Sequence, residues 1–73
     1  MANLTYEVKE ILGTLSDGVW APRLCLISWN HRKPTFDLRK WNTEDESMGK
    51  GLTLTEAELI ALRDLLNEYF VED

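Results

Sequence analysis

The sequence has a single cysteine, a single histidine and two prolines in 73 residues. One cysteine cannot form an intrachain disulfide, and no Cys-x-x-Cys pair or Cys/His zinc cluster can be assembled around it. No stretch approaches the roughly 18 apolar residues of a membrane span. The first residues also lack the basic and apolar regions of a signal peptide. We therefore expect a cytoplasmic protein without disulfides, a bound metal or a membrane partner.

Residues that could support catalysis are equally scarce. His31 lies in a polar turn, with no cysteine or serine at a spacing that suggests a nucleophile and its base. Cys25 lies within an apolar run, where a free cysteine behaves as a small buried hydrophobe. The segment 49–51 lacks the rest of a phosphate-binding loop, and the acidic segment 44–46 lacks the alternating ligands of a calcium loop. The sequence predicts a protein that is not an enzyme and has no cofactor or small-molecule substrate.

Apolar residues alternate with polar ones in several stretches, which is the period of β-strands. The turn signals between them divide the chain into four predicted strands, over residues 4–15, 19–29, 35–41 and 52–54. Pro22 should lie near the start of the second strand or on an edge, because proline cannot donate to a ladder. Thr55 and Glu58 form a capping box that begins a C-terminal helix. We predict one α+β domain over residues 1–73, with a four-stranded antiparallel sheet followed by one helix (ββββα).

The predicted helix has more apolar side chains than it needs to cover one small sheet. Its apolar stripe consists of Leu59, Leu62, Leu66, Tyr69 and Phe70, and it is widened by Ile60 and Leu65. A chain this short buries only about 60% of the surface that its unfolded form exposes, and usually needs further support. We therefore predict that this stripe is the interface of a homodimer.

Charge is unevenly distributed along the chain. The net charge of −5 argues against a nucleic-acid ligand, for which a basic surface is the usual first indication. Residues 55–73, however, contain six acidic side chains and one basic one, whereas residues 23–41 contain five basic side chains and only Asp37 as an acid. The middle of the chain is therefore locally basic, which favours binding of a polyanion there.

Tryptophan and basic residues are interleaved in this same region. Single-stranded nucleic acid is bound by cations that follow its phosphates and by rings on which its bases stack. In the third strand, Phe36 and Leu38 are predicted to face the core, and Trp41 to share the exposed face with Asp37 and Arg39. The faces of two other tryptophans stay open. The candidate nucleic-acid-binding residues are Trp20, Arg23, Trp29, Arg32, Lys33, Arg39, Trp41 and Lys50.

Three segments, 28–30, 34–41 and 48–55, carry a combination that resembles the positive cofactor four family of transcriptional coactivators, in particular its small bacterial members of the YdbC type. Asp37-Leu38-Arg39-Lys40-Trp41 followed by Gly49-Lys50-Gly51-Leu52-Thr53-Leu54 is the specific part. The resemblance implies homodimers with curved sheets that bind single-stranded DNA and helices that meet at the interface. It also implies that Arg39 and Trp41 lie in the groove, and that Lys33 and Lys50 contact phosphate.

The sequence therefore predicts a dimeric, cytoplasmic and nucleoid-associated protein that binds single-stranded DNA with low sequence specificity. Its function would lie in transcription regulation or in replication and repair. Two alternatives remain: a protein-interaction module that receives a peptide on the same sheet, and a single-stranded RNA binder.

Overall fold

The computed structural model describes residues 5–71, which form four strands and one helix: β1 (Tyr6–Thr14), β2 (Trp20–Trp29), β3 (Thr35–Asn42), β4 (Met48–Leu54) and α1 (Glu56–Tyr69). The strands make one antiparallel sheet in the order β1-β2-β3-β4. The predicted ββββα fold is confirmed. The predicted start of the first strand at Leu4 lies outside the described residues. Among residues 5–71, no helix is long and apolar enough to cross a lipid bilayer.

The β2–β3 connection is a tight hairpin turn. Asn30 and His31 both have positive φ, at 50° and 64°, and the Arg32 N–H donates to the Trp29 carbonyl at 2.9 Å. Positive φ at both central residues is the signature of a type I′ turn, which matches the twist of the strands it joins. The Ser28 hydroxyl donates to the Arg32 carbonyl at 2.6 Å and fixes the exit of the turn.

The sheet is strongly curved. Tyr6 pairs with Trp29, whereas Trp41 pairs with Ala21, eight positions away along β2. In a flat sheet these two places would be about 26 Å apart along the strand, yet the rings of Tyr6 and Trp41 have centroids 6.5 Å apart. Register shifts in the β1–β2 and β3–β4 ladders accompany the curvature, as β-bulges do. Strand pairing and alternation identify the residues whose side chains point to the concave face. These residues are Tyr6, Val8, Arg23, Cys25, Ile27, Trp29, Thr35, Asp37, Arg39 and Trp41.

The core of the chain lies on this concave face. Cys25, Ile27 and Trp41 are buried there, with three partly buried neighbours, Val8, Trp29 and Met48. Two predictions are therefore wrong: Trp41 is only 3% exposed, and the face of Phe36 and Leu38 is not the one that holds the buried cluster. The alternation itself was correct. The curvature brings rings from β1 and β2 over Trp41, which alternation within one strand cannot indicate.

The helix begins where the capping box predicts. The Thr55 hydroxyl accepts from the Glu58 N–H at 3.1 Å, and the Glu58 carboxylate accepts from the Thr55 N–H at 2.9 Å. No residue of α1 is buried, and among the elements of residues 5–71 the helix touches β3 and β4 alone. The radius of gyration is 14.0 Å, against about 11 Å for a compact chain of this length. The helix therefore extends away from the sheet, and its apolar side chains are largely uncovered in the single chain.

Candidate nucleic-acid interface

Three aromatic side chains form a ring cluster on the concave face: Tyr6, Trp29 and Trp41. Tyr6 lies 5.6 Å from Trp29 at an interplanar angle of 44°, and 6.5 Å from Trp41 at 62°. Tyr6 is 46% exposed and Trp29 is half-buried, while Trp41 lies beneath them. Tyr6 and Trp29 are therefore the rings that a ligand can reach, and Trp41 supports them.

Sequence reasoning missed Tyr6, which shares its position in the period-two pattern with Val8 and is therefore assigned to the apolar face of β1. That assignment of the face is correct, since Tyr6 lies opposite Trp29 and above Trp41. The error was to treat the core face and the ligand face as different faces. No pattern within β1 distinguishes a buried ring from one at the rim of a curved sheet.

Arg39 is held by a buried carboxylate. Its Nε and Nη2 donate to the two oxygens of Asp37 at 2.5 and 2.6 Å, and the Thr53 hydroxyl donates to the same carboxylate at 3.3 Å. Asp37 is fully buried. The guanidinium carbon lies 5.0 Å from the ring centre of Trp29. Arg39 is thus charge-paired and fixes the ring it covers, whereas the sequence suggested a cation available to phosphate.

Gly51 makes room for this arrangement. A Cβ at Gly51 would overlap the Arg39 Cβ and would lie 2.8 Å from both the Arg39 Nε and the Leu38 carbonyl oxygen. Because side-chain atoms cannot approach backbone that closely, a larger residue would displace Arg39 or separate the strands. Gly51 therefore accommodates an arginine of the neighbouring strand.

Arg23, the second arginine of the concave face, is held more loosely. Its Nη1 donates to the Glu46 carboxylate at 3.3 Å, and its guanidinium carbon lies 5.5 Å from the ring centre of Trp41. Glu46 belongs to the β3–β4 loop, where Asn42 accepts from the N–H groups of Glu44 and Asp45. In the sequence, segment 44–46 was notable only as an acidic run without the spacing of a calcium loop.

The other candidate residues surround the ring cluster or lie apart from it. Arg32 and Lys33 are exposed in the β2–β3 connection beside Trp29, and Lys50 is exposed on β4. None of these three cations forms an ion pair within the part of the chain that the structure describes. Trp20 pairs with Asn42, so it lies on the convex face, where its ring covers Gly49. Strand pairing therefore places Arg23, Trp29, Arg39 and Trp41 on the concave face and Trp20 on the other side. Arg32 and Lys33 lie in the connection that follows Trp29, and Lys50 lies at the register shift of the β3–β4 ladder.

Polar atoms without partners are concentrated on the concave face. Four buried side-chain atoms of residues 5–71 have no hydrogen-bond partner: Arg23 Nε, Trp29 Nε1, Thr35 Oγ1 and Trp41 Nε1. All four residues share this face. Three of the atoms are N–H donors and the fourth is a hydroxyl that can donate. Buried polar groups are normally paired, so such a cluster of unused donors requires an explanation.

Two titrating groups near the site have a structural explanation. Burial raises the pKa of the Cys25 thiol, with a smaller opposing effect of the Arg23 charge. The Ser47 hydroxyl and N–H lower the pKa of the Asp45 carboxyl in the β3–β4 loop. No group of three or more potential metal ligands occurs in the described ranges. The face therefore offers accessible rings and basic side chains.

No family model matches the chain. A protein of Treponema pallidum (strain Nichols), described as uncharacterized, is 52% identical to it over 64 residues. The matched region covers 85% of this chain and 75% of that protein.

Proposed function

The chain belongs to the same family as the Treponema pallidum protein, and we propose that it binds single-stranded DNA with low sequence specificity on its concave face. A protein with this activity works where duplexes are open, in transcription regulation or in replication and repair, and would associate with the nucleoid. The resemblance of its β3 and β4 segments to the positive cofactor four family points the same way.

The observation that carries the proposal is the pair of reachable rings on the concave face, next to exposed cations. Tyr6 and Trp29 present π-surfaces on which bases can stack, a contact worth about 1–3 kcal/mol per base. Arg32 and Lys33 are exposed in the connection that follows Trp29. A nucleic-acid strand supplies bases for the rings and phosphates for the cations. The four unpaired donors of this face are buried, so they do not form an accessible surface.

Electrostatics supports the same ligand. Arg32 and Lys33 are exposed in the connection beside Trp29, Lys50 is exposed on β4, and all three are free of ion pairs among the described residues. Four acidic residues of the C-terminal segment lie on the helix, which extends away from the sheet: Glu56, Glu58, Asp64 and Glu68. A polyanion is therefore attracted to the concave side and repelled from the helix, in spite of the net charge of −5.

Homodimerisation through α1 is part of the proposal. A helix of 14 residues is marginal on its own in water, and this one has no buried residue. Its large apolar side chains are among the most exposed in the chain, with Tyr69 at 80%. A second copy of the helix supplies an apolar surface of the same kind, which agrees with the surplus apolar stripe in the sequence.

Tryptophan fluorescence tests the proposal directly. We expect oligo-dT to quench the emission at low salt, with an affinity that falls as salt rises, because cations that bind phosphate release counterions. Duplex DNA should bind more weakly, because its base faces are already stacked. Absence of quenching by oligo-dT at low salt would refute the proposal, and tighter binding of oligo-U would assign the face to RNA instead.

Two tryptophans on opposite faces provide a matched pair of variants. Trp29→Leu removes a ring of the cluster and should weaken oligo-dT binding about fivefold to a hundredfold, the range for loss of one stacked base. Trp20→Leu makes the same change on the convex face and should leave the affinity unchanged. Equal effects of the two variants would show that the ligand does not use the ring cluster.

A further inference from the structure

The two arginines of the concave face are paired in very different ways. Arg39 makes two short bonds to a fully buried carboxylate. Arg23 makes one long contact, of 3.3 Å, to a glutamate whose side chain is 62% exposed, although the Arg23 side chain itself is only 11% exposed. The carboxylate of Glu46 thus covers a cation that points to the concave face, and water can reach that carboxylate.

The Arg23 guanidinium is also incompletely satisfied. Its Nε is buried and has no partner among residues 5–71, and Glu46 takes a single bond from Nη1. Guanidinium groups bind carboxylate or phosphate best through two parallel N–H bonds. An anion with oxygens free to approach as a pair could use more of the Arg23 donors than Glu46 does.

The loop that carries Glu46 allows the side chain to leave. The Glu46 N–H donates to the Asn42 carbonyl at 2.8 Å, and Ser47 is bonded to Asp45, so the backbone of the loop is closed without the Arg23 contact. Glu46 has a φ of 61°, which is unusual for a residue other than glycine, asparagine or aspartate. Release of the carboxylate therefore breaks one ion pair and leaves the loop hydrogen bonds in place.

From these contacts we infer that Glu46 occupies the place of a ligand phosphate on Arg23, and that a phosphodiester group of the bound strand displaces it. The inference rests on the proposed function, since it names a contact of that ligand. Arg23 becomes a phosphate-binding residue only when the strand is present. Without a ligand, the internal carboxylate neutralises it and weakens the attraction of other anions to this end of the face.

A pair of charge-matched substitutions isolates this contact. Glu46→Gln removes the competing carboxylate, while Glu44→Gln removes the same charge from the same loop at a residue without an ion pair to Arg23. We expect Glu46→Gln to raise the oligo-dT affinity at low salt about two- to fivefold above Glu44→Gln, the range of an exposed ion pair. An abasic deoxyribose-phosphate oligomer of the same length should show the same difference, because the contact is to phosphate.

Repeating both variants in an Arg23→Met background tests whether Glu46 acts through Arg23. The advantage of Glu46→Gln over Glu44→Gln should disappear there. If the advantage persists, Glu46 acts by general repulsion and the inference is wrong. Equal affinities of the two glutamine variants in the presence of Arg23 would also overturn it.

A second measurement tests the displacement of Glu46 even if Arg23→Met does not fold, and it needs no nucleic acid. The ¹⁵N resonance of Arg23 Nε is followed by NMR during titration with inorganic tripolyphosphate. It should shift at a lower concentration in Glu46→Gln than in Glu44→Gln, and identical titrations would refute the displacement. Failure of the unaltered protein to bind oligo-dT would instead refute the proposed function, so the two failures are distinguishable.

Discussion

Replacing Asp37 by asparagine should destabilise the domain by about 3 kcal/mol. The substitution keeps the size of the side chain but removes the charge that receives two bonds from Arg39 and one from Thr53. Breaking a buried ion pair by removing one partner costs about 3–5 kcal/mol, because the other charge stays buried without compensation. The Arg39 side chain is 14% exposed, and the amide of an asparagine still accepts one hydrogen bond from it. We therefore expect a loss of unfolding free energy at the lower end of this range. For 73 residues a total stability of roughly 4–11 kcal/mol is usual, so the loss is a large share of it.

Urea denaturation at fixed protein concentration measures this loss, with tryptophan emission as the probe because Trp41 is buried. Asp64→Asn is the matched control, since Asp64 pairs with Arg63 on the helix surface and both side chains are more than half exposed. That exposed pair should contribute less than about 1 kcal/mol. If Asp37→Asn shifts the midpoint no more than Asp64→Asn does, the buried pair does not organise the concave face and the reasoning is refuted.

The double replacement Asp37→Leu with Arg39→Met separates stability from ligand positioning. Replacing a buried pair by apolar residues of similar volume is often neutral or stabilising, so the domain should remain folded. Oligo-dT binding should weaken, because Trp29 loses the guanidinium that covers its ring. The slope of log K against log salt should stay the same, whereas Lys50→Gln should reduce its magnitude by about 0.7. A reduced slope in the double variant would mean that Arg39 contacts phosphate directly.

Three further predictions concern the glycine in β4, the buried thiol and the helix. Gly51→Ala should lower the free energy of unfolding, measured in urea, by more than about 2 kcal/mol, because the added methyl group clashes with β3. Gly13→Ala places its methyl group in open space and should lower that free energy little. Equal urea midpoints of the two variants would contradict this. Burial raises the pKa of the Cys25 thiol in the folded protein. The contribution of this shift to the free energy of unfolding should be fully present below the ordinary thiol pKa and should be lost as pH rises through the raised pKa. Alkylation of Cys25 in the folded protein as fast as in urea would exclude a buried thiol. Sedimentation should show a dimer at micromolar concentration that Leu65→Glu dissociates and Leu15→Glu, on another exposed apolar residue, does not; a stable monomer of the unaltered protein would remove the proposed interface.

The local patterns of the chain were sufficient to predict its elements. Period-two alternation located the first three strands, and the Thr55–Glu58 capping box located the start of the helix, because both depend on residues close together in the sequence. The fourth strand begins at Met48 instead of Leu52, because its Gly-Lys-Gly segment has no apolar alternation that would indicate a strand. The two faces of β3 were also separated correctly, with Phe36 on one and Trp41 on the other. These features follow from backbone geometry, which is the same whatever the strand packs against.

Counting the basic residues along the chain was less informative about the site than knowing which carboxylate each arginine pairs with in the structure. Arg23 and Arg39 are equivalent in the sequence as basic residues in a locally basic region. In the structure one is paired with a buried aspartate two residues away and the other with a glutamate 23 positions away in a loop. Whether an arginine is firmly or loosely paired depends on how deeply the fold buries its partner and how closely the two groups approach, which composition does not contain.

By itself, the sequence determined the order of the elements, the helix cap and the separation of each strand into two faces. Only the tertiary structure decided which face becomes the core of the chain, because curvature is a property of the whole sheet and its bulges. That curvature buried Trp41 and left Tyr6 at the rim, whereas the opposite faces of Trp20 and Trp29 follow from alternation along β2 alone. The candidate interface predicted around β3 is therefore retained, with Tyr6 and Trp29 as its accessible rings and Trp41 as their support.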